Sequence, residues 1–115
     1  MSLLAKLHDE DVGGTPVVVV AGEIDSSNAA EIGDRLRATI SNQGMAMVVD
    51  LTPTTYIDSA GINALFRLGL ELEERQQRLH LVVAGGSPIE RMLKIVGLDR
   101  AIPTFATRAV ALDAL

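Results

Sequence analysis

Val17-Val18-Val19-Val20-Ala21 is an uninterrupted, β-branched apolar run, and Met45-Ala46-Met47-Val48-Val49 and Leu79-His80-Leu81-Val82-Val83-Ala84 read the same way. A strand with one wet face alternates apolar and polar residues. A continuous run suits a strand covered on both faces, as at the centre of a largely parallel sheet. Leu3 to His8 reads as a shorter edge strand, joined to the Val run by a turn-like, acidic segment, Asp9-Glu10-Asp11-Val12-Gly13-Gly14.

Helical patterns separate these runs. Ala29, Ile32, Gly33, Leu36 and Ile40 follow helical spacing, with Asn28 as N-cap, Glu31 three residues on and Gly44 as the stop. Ile62, Leu65, Phe66, Gly69 and Leu72 form the inward stripe of a second helix, which leaves Leu68 and Leu70 on its outer side as a partner-facing surface. Ser87-Pro88-Ile89-Glu90 opens a third helix, with Ile89, Met92, Leu93 and Val96 inward and Gly97 closing it. A short strand falls near Thr104-Phe105. Thr107 caps a last helix with Val110, Ala111 and Ala114 inward. Met45, Met47 and Met92 fall on core positions as filler. The order predicts one α/β domain over residues 1–115, a mixed, mostly parallel sheet of four to five strands with about four helices.

Composition narrows the function. Fifteen acidic against ten basic residues leave a net charge of −5, which opposes binding to a phosphate backbone, and 3% aromatics leave little for base stacking. The absence of Cys excludes a disulfide scaffold, a catalytic thiol and Cys-ligated metal. No apolar run approaches the roughly 18 residues of a membrane span, and the first residues lack a secretory pattern, so the expectation is a soluble, cytoplasmic protein with no membrane insertion.

In open α/β sheets, sites gather in loops after the carboxyl ends of strands. Three loops qualify: Gly22 to Ser27, Asp50 to Gly61, and Gly85-Gly86-Ser87. The third lacks the lysine of a P-loop and reads as a turn. In the second, Ser59 sits between Asp58 and Ala60-Gly61 just before a helix. Position alone makes Ser59 or Asp58 a helix cap. It also suits a phospho-acceptor, because a phosphate at a helix N-terminus meets backbone N–H groups and the dipole, while Asp58 opposes it. A hydrolase nucleophile is disfavoured: there is no Gly-x-Ser-x-Gly elbow, and His8 and His80 lie in strands. Asp25, Asp50 and Asp58 could meet at one sheet end and hold Mg²⁺ beside a phosphate. No Lys or Arg lies near those loops in sequence to balance a transferring phosphate.

Gly22-Glu23-Ile24-Asp25 with Asn28-Ala29, then Val48-Val49-Asp50-Leu51 and Tyr56-Ile57-Asp58-Ser59-Ala60-Gly61-Ile62, with Gly97-Leu98-Asp99 further on, resembles the STAS family, named for sulfate transporters and anti-sigma factor antagonists. A free-standing chain of this kind is similar to bacterial anti-sigma factor antagonists. The resemblance implies a non-enzymatic partner switch without cofactor or metal. The unphosphorylated protein binds an anti-sigma factor, itself a GHKL-type Ser/Thr kinase, and frees a sigma factor. The kinase phosphorylates the position matching Ser59, and a PP2C-type phosphatase reverses it. With the residues read from position, Leu68 among them, the expected switch and partner face comprises Asp25, Asp58, Ala60, Gly61, Asn63 and Leu68. Ala60 stands where the family often has Ser or Thr. The alternatives are a STAS subunit of a transporter or lipid-transport complex, a stressosome-like scaffold, and a small Mg²⁺-dependent phosphoryl-transfer enzyme using the three aspartates.

Overall fold

In the computed structural model, which describes residues 4–115, the apolar runs are central strands of a six-stranded sheet. Strands β1 (Ala5–Val12) and β2 (Thr15–Ile24) form an antiparallel hairpin. Helix α1 (Ala29–Ala38) leads to β3 (Ala46–Asp50), which pairs parallel to β2. Then come β4 (Thr54–Ile57), α2 (Ser59–Glu74), β5 (Arg78–Val82), α3 (Pro88–Val96), α4 (Leu98–Ala101), β6 (Thr104–Phe105) and α5 (Arg108–Asp113). The main path runs β1-β2-β3-β5-β6. The expected α/β sheet is present, with one more strand and one more helix among the described residues. Leu3, the expected first residue of the edge strand, lies outside them.

The added strand positions the site. β1 occupies one edge of β2, so β3 and β4 share the other, pairing with Val17–Val19 and Gly22–Ile24 in turn. Thr54-Thr55-Tyr56-Ile57 is β-branched and aromatic, as a strand prefers, but it follows Thr52-Pro53 and reads as loop in sequence. A register shift between Gly22 and Glu23 accommodates the change of partner. Gly22 has φ +110°, and a Cβ there would collide with the Leu4 carbonyl oxygen. The hairpin turn is shorter than expected. Asp9, Glu10 and Asp11 belong to β1, and only Gly13 and Gly14 turn, both at positive φ, as a two-residue hairpin favours. Charge along an edge strand discourages pairing with another chain.

Side chains alternate across each strand. Val18, Val20, Met47, Val49, Leu79, Leu81 and Val83 face a large core covered by α1 to α4. Val17, Val48 and Val82 face a small core closed by Ala111 of α5, with Phe105 and Leu112 packed against it. Both faces of the central strands are covered, which is why their runs are continuous.

Several burial expectations shift. The buried stripe of α2 is Gly61, Leu65, Leu68 and Leu72, so Leu68 is fully buried rather than partner-facing, whereas Leu70 is exposed as expected. Gly61 explains the error in phase: it sits against Ile24 and Ile57, so close that a Cβ would lie 2.6 Å from Ile57 Cγ1. With no side chain, that point of closest approach does not register as apolar, and Ile62 and Phe66 set the phase wrongly. Phe66, Met92 and Val96 stay substantially exposed, as do Val110 and Ala114. Met47 is core, but Met45 precedes β3 and is 78% exposed. Helix α1 ends at Thr39, whose hydroxyl donates to the Leu36 carbonyl, five residues before Gly44.

Candidate functional site

The bulged end of β2 and the end of β4 deliver two loops side by side. In the β2–α1 loop, Asn28 stands at the N-cap position of α1 but makes no side-chain cap. It is buried at 1% exposure and staples its own loop instead: Oδ1 accepts from Asp25 N (2.9 Å) and Nδ2 donates to the Glu23 carbonyl (2.8 Å). Asp25 Oδ1 accepts from both the hydroxyl and the backbone N–H of Ser27. These bonds, the hydroxyl's first, hold the Asp25 carboxyl below its ordinary value.

In the β4–α2 segment, Asp58 caps α2. Its Oδ1 accepts from Gly61 N (3.1 Å), and its Oδ2 accepts from Ser26 N (3.1 Å) in the other loop. The Asp58 backbone N–H also donates to the Ile24 carbonyl, so strand, loop and helix start are tied at one residue. Ser59 is the first residue of α2. It is exposed, and its hydroxyl bonds to no described residue.

Ser59 opens onto an apolar groove of about 540 Å³ between α2 and the α3–α4 segment, walled by Tyr56, Ile62, Phe66, Met92, Val96 and Leu98. A second cleft of about 400 Å³ lies between α1 and α2 and includes Ser26, Ala60, Arg37 and Arg67. Asn63, exposed one turn beyond Ser59, borders both. Ala60 packs against the main core. Thus Asp25, Asp58, Ser59, Ala60, Gly61 and Asn63 gather at one sheet end, and Leu68 does not join them at the surface.

The three aspartates do not form a metal site. Asp50 lies on the α5 side of the sheet, bonded to Thr52 N and paired with Arg108 (3.4 Å), a cation contributed from far along the chain. Among the described residues no group of three or more His, Cys, Asp or Glu is placed to hold a metal ion. His80 is buried, with Nδ1 2.8 Å from the Ala111 carbonyl oxygen and its ring on Phe105. His8 is exposed on β1. Neither accompanies Ser59 as a base.

Asn28 and the groove were missed as site features. The Asp25-x-x-Asn28 spacing, typical of side chains that bond a nearby backbone, carried a signal. The groove carried none, because its walls come from separate elements.

A family model for the STAS domain matches residues 6–111. This chain belongs to the STAS domain family. Within it, the chain is 28% identical over 97 residues to the anti-sigma-F factor antagonist RsfB of Mycobacterium tuberculosis, covering 84% of this chain and 78% of that one. It is 33% identical over 86 residues to the anti-sigma-B factor antagonist of Listeria monocytogenes, covering 74% of each. Its fold superimposes on the crystal structure of an anti-sigma factor antagonist from Mycobacterium paratuberculosis with a TM-score of 0.85 and 28% identity, over 96% of this chain and 92% of that one. No described helix is long and apolar enough to cross a membrane.

Proposed function

We propose that this STAS protein is an anti-sigma factor antagonist, a binding regulator rather than an enzyme, switched by phosphorylation of Ser59. The observation that carries the reading is the Ser59 hydroxyl: exposed at the first residue of α2, free of described hydrogen bonds, and on the lip of an apolar groove. The names of the two sequence relatives support the role. The partner is an anti-sigma factor of the GHKL-type Ser/Thr kinase class, met in the cytoplasm, and a PP2C-type phosphatase resets the switch.

With a neutral hydroxyl, the groove, Asn63 and the Ser26–Asn28 loop dock closely against the partner. In the kinase step the Ser59 oxygen attacks the γ-phosphorus of ATP. An O–P bond forms, the bond to the β-phosphate oxygen breaks, ADP leaves and the hydroxyl proton is lost. The product carries about −1.5 to −2 charge beside Asp58. The groove's described lining contains no lysine or arginine to meet that charge. Docking must then desolvate a phosphate beside the Asp58 carboxylate, which opposes binding.

The test is incubation of this protein with ATP and each candidate GHKL-type kinase, followed by intact-mass measurement. One added phosphoryl group, about 80 Da, is expected on the wild type and none on Ser59→Ala. A gain that persists in Ser59→Ala overturns the assignment.

A further inference from the structure

Among the described residues, Asp58 is the side chain that hydrogen-bonds within both loops of the site, and it uses a different oxygen for each: Oδ1 caps α2 through Gly61 N, and Oδ2 holds Ser26 N. The rest of the β2–α1 loop is fastened from within, by the buried Asn28 and by Asp25 on Ser27. The loop therefore behaves as a preformed block with a single side-chain tie to the helix start. We infer that Asp58 is a positioning residue whose second oxygen locks the Ser26–Asn28 block against α2, and that a phosphate on Ser59 opens this lock.

The physical reason is a competition at one point. Asp58 and Ser59 are consecutive, so a phosphate on Ser59 places a dianion next to a carboxylate, and the two repel. The helix N-terminus favours one anion there through its dipole and unpaired N–H groups. The Oδ1 contact closes within a single turn of the same helix. The Oδ2 contact to Ser26 is solvent-exposed whereas the Oδ1 contact is partly buried, so water replaces the Ser26 bond more readily. Release of the block changes the shape of the surface beside the groove, in addition to its charge. The inference rests on Ser59 as the modified residue.

The geometry supplies a clean variant. A carboxylate accepts through both oxygens, whereas a carboxamide accepts through one. Asn is as good an N-cap as Asp. Asp58→Asn therefore keeps the Gly61 cap and loses the Ser26 tie.

The experiment is NMR amide exchange on four proteins: wild type, Asp58→Asn, and each with phosphoserine placed at position 59 during translation by an expanded genetic code. Phosphoserine is expected to speed Ser26 amide exchange about tenfold in the Asp58 background, the scale of one lost charge-assisted hydrogen bond. Asp58→Asn alone should speed it comparably while Gly61 stays protected, and phosphoserine should then add little. Ser26 exchange that phosphoserine leaves unchanged or slows overturns the lock, as does an equal acceleration in both backgrounds. The wild-type arm reads the lock even if Asp58→Asn folds poorly. No kinase is used, so failure of every kinase to modify Ser59 counts against the proposed function, whereas a silent Ser26 counts against the lock alone.

Discussion

The two faces of the sheet are built differently. On one, helices α1 to α4 cover a continuous core in which Leu36, Leu65, Leu68, Leu72 and Leu93 are fully or almost fully buried. On the other, the six-residue α5 contributes one buried alanine to a patch of three valines. Polar contacts fasten that helix: Arg108 forks onto both Glu10 oxygens at 3.0 and 3.1 Å and reaches Asp50, and His80 bonds the Ala111 carbonyl. The two loops of the candidate site grow from the heavily packed side, where Gly61 seats the start of α2 directly on Ile24 and Ile57. Such a seat would let the proposed change at Ser59 act on the surface without loosening the domain. The α5 side should open locally more easily than the α2 side, since fewer apolar contacts hold it.

The contrast is open to substitution. The largest effect belongs to Leu68→Ala, which empties a fully buried site under α2 and should cost about 2–5 kcal/mol in urea unfolding. A loss below about 0.5 kcal/mol, the range of surface changes, would return Leu68 to the outer face. Arg108→Ala should cost less, about 1–2 kcal/mol, by leaving Asp50 and Glu10 without their shared partner. Its amide exchange should rise in α5 and stay unchanged in the first turn of α2. Equal acceleration at both places would mean that the two faces open together.

Asp25→Asn should have the smallest effect, and one that depends on pH. The Asp25 carboxyl is held below its ordinary value of 3.8, so its ionised form stabilises the fold above that value and the contribution disappears as pH falls through the lower folded value. The Tm of wild type should exceed that of Asp25→Asn slightly at neutral pH, with the gap closing below about pH 3.8. A gap that widens in acid would contradict the Ser27 hydrogen bonds as its cause.

The same contrast decides what could be read from sequence. Strands β2, β3 and β5 are legible because burial on both faces makes their apolar runs continuous. Ser87 and Thr107 are legible as caps because a hydroxyl three residues before a free N–H is a local arrangement, and both make that bond. The Asp58-Ser59 element shows in sequence through its place at the end of a loop, just before a helix. What escapes is non-local. β4 hides behind Thr52-Pro53 and is a strand only because β2 leaves it an edge. The phase of α2 is set by a glycine, whose contribution is the absence of a side chain. Arg108 reaches Asp50 across fifty-eight positions. The tie between Asp58 and Ser26 needs both loops in place before it exists.

The measurement that bears most directly on the proposed switch is calorimetric titration of the GHKL-type kinase identified by the phosphorylation test with wild type, Ser59→Ala and the protein bearing phosphoserine at position 59. Ser59→Ala should bind as wild type does. The phosphorylated protein should bind more than a hundredfold more weakly, equivalent to about 3 kcal/mol. Equal affinity of the phosphorylated and unphosphorylated proteins would contradict a switch at Ser59.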